Sequence, residues 1–170
     1  MQQPTLILAS TSPYRRALLE RFGLPFTAVG PEVDEARQAG ESALSLVVRL
    51  AEAKARAVAS AHPGALIVGS DQVAAVDDRI LGKPGDRGHA IEQLTYAAGK
   101  TVVFYTGLCL LNAATGRART ACEQFRVHFR RLSQAQIAGY VDCERPFDCA
   151  GGVKSEGLGI ALFERLSGDD

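Results

Sequence analysis

The sequence lacks any excess of charge: 19 Lys and Arg stand against 19 Asp and Glu, for a net charge of zero. Large nucleic-acid footprints need a basic face, so no polymeric nucleic acid is expected as a partner, and any phosphate binding must be local. Long apolar runs are missing as well. None approaches the roughly 18–20 residues of a membrane span, so no membrane is expected either. The opening MQQPTLILAS has no basic segment and too short an apolar run for a secretory signal, which makes the expectation cytoplasmic. Cys109, Cys122, Cys143 and Cys149 show no CxxC spacing and no accompanying histidine pattern. They read as reduced thiols, neither a disulfide frame nor a zinc site. No GxxxxGK followed by Ser or Thr is present, and no GxGxxG follows the first apolar run, so neither a P-loop nor a dinucleotide fold is supported. Repeats, low-complexity tracts and linkers are absent.

What is present is the composition of an ordinary soluble globule, 46% hydrophobic and 22% charged over 170 residues. That length suits one domain or two closely joined lobes. Short apolar runs alternate with helical patterns. Leu6 to Leu8 reads as a buried strand. Ser12 fits a helix cap and Pro13 the first helical position, where its missing N–H costs nothing. Leu18, Leu19 and Phe22 supply an apolar helical face, with Gly23 closing the last turn. Phe26–Val29 reads as a strand, Gly30–Gly40 as an acidic loop, and Ser42 as the cap of a helix running to about Ala59. Ala65–Gly69 is an apolar strand followed by Ser70, Asp71 and Gln72. Asp77-Asp78 turns between Val73–Val76 and Ile80-Leu81. Asp86 starts a helix that carries Ile91, Leu94 and Ala98 inward and ends at Gly99. Thr101–Leu111 and Arg117–Phe129 form a hairpin. Ser133 and Gln136 make a capping box for a helix bearing Ile137, Tyr140 and Val141. A glycine-rich loop, Ala150–Gly159, leads to a last strand, Ile160–Leu166. The expected class is therefore α/β with a mixed sheet and flanking helices.

Three placements are unusual. Arg15 and Arg16 lie in the first turn of a helix, where the dipole disfavours a cation by roughly 0.3–1 kcal/mol unless an anion faces it. Arg16 stands four residues before Glu20 and has a solvated ion pair as its simplest explanation. Arg15 has Leu18 and Leu19 as its i+3 and i+4 neighbours and is the better ligand candidate. Lys54 sits within the apolar stripe of Val47, Leu50, Ala51, Ala57 and Val58; it either snorkels to water or faces a cleft that holds anions. Asp71, past the apolar strand, is a turn residue, a metal ligand or a general base. Lys83, between Gly82 and Pro84, is weak evidence alone. Glu32, Asp34 and Glu35 are a solvated acidic run or donors for a hard divalent cation. Taken together, these groups suit a polyphosphate bound with metal.

In LILASTSPYRRALLERFGLPF, PEVDE, LAEAKA, IVGSDQV, GKP, FYTGL and AGGVKSEGLGIALFERL, taken in order, the chain resembles the Maf family of nucleoside triphosphate pyrophosphatases. The resemblance implies a single Maf-like domain over 1–170, with two lobes around a nucleotide-binding groove. It also implies hydrolysis of a nucleotide to its monophosphate and pyrophosphate with Mg²⁺ or Mn²⁺, and leaves a homodimer open. Ser10, Arg15, Lys54 and Lys83 resemble the family's triphosphate-binding groups. Asp71 matches its proposed general base, and Glu35, assisted by Asp34, its metal-side acid. Tyr14, Gln72 and Glu156 resemble the branch acting on 7-methyl-GTP, whereas the branch acting on dTTP and UTP carries Arg, Thr and Gln there. An aromatic face such as Tyr14 suits the cationic methylated ring, and Glu156 offers two acceptors to guanine donors. The family's further apolar segment and closing helix are expected after LFERLSGDD, with which this sequence ends. The rival functions are a non-catalytic nucleotide-binding regulator of cell division and a phosphatase releasing orthophosphate.

Overall fold

The computed structural model describes residues 4–168; residues 1–3, the start of the segment read for a signal, lie outside them. The described chain forms β1 (Leu6–Ala9), α1 (Pro13–Glu20), β2 (Phe26–Val29), α2 (Ala43–Ala59), β3 (Leu66–Val76) and β4 (Arg79–Leu81). It continues through α3 (Arg87–Ala97), β5 (Thr101–Asn112), β6 (Ala118–Phe129), α4 (Gln134–Glu144), two short 3-10 turns, and β7 (Phe163–Ser167). Among the described residues the strands make one sheet in the order β2-β1-β3-β5-β6-β7, with β4 pairing β3. It is mixed. β1 runs parallel to both β2 and β3, while β3–β4 and β6–β7 are antiparallel. The α/β class expected from the sequence is the one observed.

Contacts divide the chain into two compact units, one of residues 1–71 and 106–123 and one of 72–105 and 124–170. β3, β5 and β6 supply residues to both. The first unit has a core of Ile7, Ala9, Ala51, Ala55, Val58, Ala65, Ile67, Cys109 and Leu111. Helix α2 lies so close to the sheet there that a Cβ on Gly69 would stand 2.1 Å from the Ala51 carbonyl oxygen, and one on Gly107 2.2 Å from that of Val47. The second unit packs α3 and α4 around Leu94, Val102, Phe129, Ile137 and Val141.

Local signals explain most boundaries. Ser12, Ser42, Asp86 and Ser133 each cap a helix by accepting a backbone N–H, and Ser133 with Gln136 completes a reciprocal capping box. Asp77, at φ 52°, turns the β3–β4 hairpin. Four expectations need correction. The strand read as Ala65–Gly69 does not stop before Asp71; β3 continues to Val76, because Val73 to Val76 carry on the apolar pattern. Ala98 is the C-cap residue of α3, and Ala97 takes the buried position. The last strand begins at Phe163, since Leu158–Leu162 closes into a 3-10 turn. Finally, α1 buries none of its residues: Leu18 is 52% exposed, and Phe22, read as part of the same face, lies past the helix end and is 74% exposed. This two-turn helix is held by its cap and its proline rather than by burial. The four cysteines are free thiols, as expected.

Candidate active site

Strand alternation and helix periodicity meet at one point in the first unit. Ile67, Gly69 and Asp71 share one face of β3, the face on which α2 packs. On α2, Val47, Ala51, Lys54, Ala55 and Val58 form the buried stripe, whereas Ala57, expected in it, is exposed. Carried one step past the apolar seam, these two patterns bring Lys54 onto Asp71. The Lys54 ammonium donates to Asp71 Oδ1 at 2.6 Å and lies 2.6 Å from Glu35 Oε1. Both Lys54 and Asp71 are buried, whereas Glu35 reaches in from the exposed acidic loop. Lys54 therefore does not snorkel to water; it is held between two carboxylates.

Parallel register places this pair relative to β1. Ala9, the last residue of β1, is level with Gly69, so Asp71 lies two residues beyond the carboxyl end of its neighbour. Ligands of open α/β sheets collect at such ends. Ser10 follows directly and is buried. Its hydroxyl accepts from the Ser12 N–H at 3.1 Å and is reached by Arg15 Nη1 at 3.5 Å. Arg15 is half-buried at the N-terminus of α1. Burial pushes its guanidinium below its ordinary value, while the Asp71 and Glu35 carboxylates act in the opposite direction. Those carboxylates are the facing anions that a cation in a first helical turn requires. Arg16 instead pairs with Glu20 at 3.1 Å, both exposed.

One element was missed by sequence reading. Arg49 on α2 grips Glu41 with two bonds, at 2.6 and 2.9 Å, and donates to the Ala36 carbonyl at 3.0 Å. Glu41 also accepts the Gln38 N–H. The acidic loop carrying Glu35 is thus tied to the helix that carries Lys54. No local spacing signals this clamp, because its partners are eight and thirteen residues apart. Its largest cause being the Arg49 hydrogen bond, the Glu41 carboxyl is lowered from 4.5 to about 2. A depressed folded-state value stabilises above the unfolded value and is lost as pH falls through the folded one. Thermal stability should therefore drop between about pH 5 and pH 2, with Glu41→Gln flattening that drop. Melting curves of parent and variant that stay parallel across this range would exclude the clamp.

Asp34 accepts the Ala36 N–H at 2.9 Å and so shapes the same loop. Among the described residues no group of three or more His, Cys, Asp or Glu gathers to hold a metal by itself. Two carboxylates, Asp71 and Glu35, do converge, and Mg²⁺ is commonly held by one or two carboxylates together with substrate phosphates. The donor set fits an ion that arrives with a nucleotide rather than a resident one. Tyr14 is half-buried on α1. The remaining expected residues belong to the second unit: Gln72 on β3, Lys83 exposed in the loop after β4, and Glu156 exposed in the turn before Leu158.

The buried cation–carboxylate cluster thus lies beside the carboxyl end of the parallel strand β1. The chain belongs to the Maf family: the model for Maf-like protein matches residues 5–170. It is 57% identical to the 7-methyl-GTP pyrophosphatase of Alcanivorax borkumensis, over 99% of this chain and 86% of the relative's length. It is 54% identical to the protein of the same name from Pseudomonas aeruginosa, over 98% and 87%. For that from Nitrosococcus oceani the identity is 53%, over 98% and 84%.

Proposed function

We propose that the chain hydrolyses 7-methyl-GTP to 7-methyl-GMP and pyrophosphate, clearing a modified nucleotide. The observation that carries this reading is the buried Lys54 ammonium between Asp71 and Glu35, with Arg15 beside them. The relatives' names supply the substrate.

Ser10, Arg15 and Lys54 bind triphosphate oxygens, and Lys83 is assigned the same task by resemblance. An incoming phosphate takes the place of a carboxylate on Lys54 and releases Glu35. Asp71 orients a water molecule for attack on the α-phosphorus and accepts its proton. The new P–O bond forms as the bond to the bridging oxygen breaks, and pyrophosphate leaves. Arg15 and Lys54 stabilise the charge that develops on the phosphoryl oxygens. Glu35 and Asp71, with Asp34 shaping the loop, would hold Mg²⁺ or Mn²⁺, which when bound supplies further positive charge to the phosphates. Glu35→Gln should then raise the Mg²⁺ needed for half-maximal rate by roughly 10–100-fold, the scale of lost support at metal sites. An unchanged Mg²⁺ titration removes Glu35 from this role.

Tyr14 stacks on the cationic methylated base, an interaction of about 0.5–2 kcal/mol. Glu156 accepts from the guanine N1–H and N2–H₂ donors, which uracil and thymine cannot both supply. Gln72 is assigned to the same choice of base. A side-by-side substrate panel tests the reading. 7-Methyl-GTP should show a higher kcat/KM than GTP, UTP or dTTP, and Glu156→Gln should lose most of the preference over UTP and dTTP. A parent enzyme that favours UTP or dTTP overturns the substrate.

A further inference from the structure

The turn that carries Glu156 has no strand or helix of its own to hold it. Its flanks are instead fixed to α4. On the entry side, the Lys154 N–H donates to the Tyr140 hydroxyl oxygen at 2.9 Å. On the exit side, the Leu158 N–H donates to Glu144 Oε1 at 2.8 Å. Tyr140 and Glu144 are four residues apart and so share one face of α4. Glu144 Oε2 also lies 3.7 Å from Lys154 Nζ, so the Glu144 carboxylate meets both flanks. Between them the Lys154 carbonyl accepts from both Gly157 and Gly159.

The fit around Glu144 is close. A Cβ on Gly157 would stand 2.6 Å from Glu144 Oε1, and one on Gly159 2.4 Å from the Lys154 carbonyl oxygen. Both glycines are needed for the turn to close down on the carboxylate. Tyr140 is buried at 6% exposure, and burial pushes its hydroxyl up to about 12 against the opposing Lys154 N–H. It is therefore a neutral phenol at ordinary pH. Glu144, whose side chain is 14% exposed, is half of the Lys154 pair yet spends one oxygen on a backbone amide. Such side-chain anchors fix a short segment's backbone at both ends, which lowers the conformational freedom that a ligand would otherwise have to remove.

We infer that Tyr140 and Glu144 are positioning residues for substrate choice: they hold the Glu156 turn at entry and exit, so that its carboxylate is preset for the base. This inference rests on the proposed role of Glu156. Removing either anchor should loosen base selection without touching the phosphate-binding groups of the first unit.

The test measures kcat/KM for 7-methyl-GTP and for UTP, which lacks the paired guanine donors, in the parent, Glu144→Ala, Glu144→Gln, Tyr140→Phe, Glu156→Gln and the double variant Glu144→Ala with Glu156→Gln. Loss of one anchoring hydrogen bond should lower the ratio of the two constants by about five- to tenfold in Glu144→Ala and Tyr140→Phe. Glu144→Gln keeps an acceptor oxygen and should keep most of the ratio. In the double variant, Glu144→Ala should change the ratio no further, because the group it positions is gone. Tyr140→Phe retains the ring in the core, so its result stands even if Glu144→Ala proves poorly folded. Equal losses on both substrates, or a ratio that still falls in the double variant, overturn the inference and leave Glu144 a purely structural residue. Should the parent show no preference between the substrates, or Glu156→Gln keep it, the role of Glu156 itself falls instead.

Discussion

Replacing Asp71 by Asn should lower kcat by roughly 10²–10⁴, the usual contribution of an acid–base group, while nucleotide affinity changes only a few-fold. The substitution keeps the shape of the side chain and one acceptor oxygen for Lys54 Nζ, which now stands 2.6 Å from Asp71 Oδ1. It removes the charge and the capacity to take a proton from water. Affinity measured without divalent metal should hold because binding is then assigned to the cations, and loss of a nearby anion does not weaken their hold on phosphate. Steady-state rates paired with equilibrium binding of the nucleotide separate the two effects. A variant turning over near the parental rate excludes Asp71 as base.

Lys54→Met should be nearly as damaging, and for a different reason. The methionine fills the same stem volume within the α2 stripe but offers no charge to the developing phosphoryl oxygens. Loss of one such group typically costs about 10²–10³ in kcat. Stability should fall as well, because Asp71 is left buried without the ammonium that it now pairs with. Breaking a fully buried ion pair costs about 3–5 kcal/mol, and less is expected here because the Glu35 side chain is 58% exposed. Replacing both partners, Lys54→Met with Asp71→Leu, should recover the stability, since an apolar pair often equals or exceeds a buried ion pair. It should not recover activity. Thermal melts and rates on the three proteins check this, and a double variant less stable than Lys54→Met would show that the pair is retained for folding.

How far the sequence reveals this site depends on whether a signal is local. The caps at Ser12, Ser42, Asp86 and Ser133 are local, since each side chain bonds an N–H three residues away, and all four were legible. Lys54 was legible as an anomaly because a charge interrupts an apolar stripe. Its partners were not, as nothing in a helical pattern says which strand residue will face it. Asp71 looked like a residue past a strand end because the apolar Ala65–Gly69 run stops before it, but β3 goes on through it. The face of α1 misled because apolar spacing says which side could be buried, not whether anything covers it. The Arg49–Glu41 clamp and the Tyr140 and Glu144 anchors join segments eight to fourteen residues apart, beyond any helical or strand period. The family resemblance named the residues of the cluster, and the geometry shows how five of them stand: Ser10, Arg15, Glu35, Lys54 and Asp71.

The most direct test of the account follows phosphate release from 7-methyl-GTP with and without added inorganic pyrophosphatase. The account predicts no orthophosphate from the enzyme alone, and two orthophosphates for each 7-methyl-GMP once pyrophosphatase is present. Orthophosphate released without the added enzyme would make the protein a phosphatase, and binding without any product would make it a nucleotide-binding regulator; either result contradicts the account.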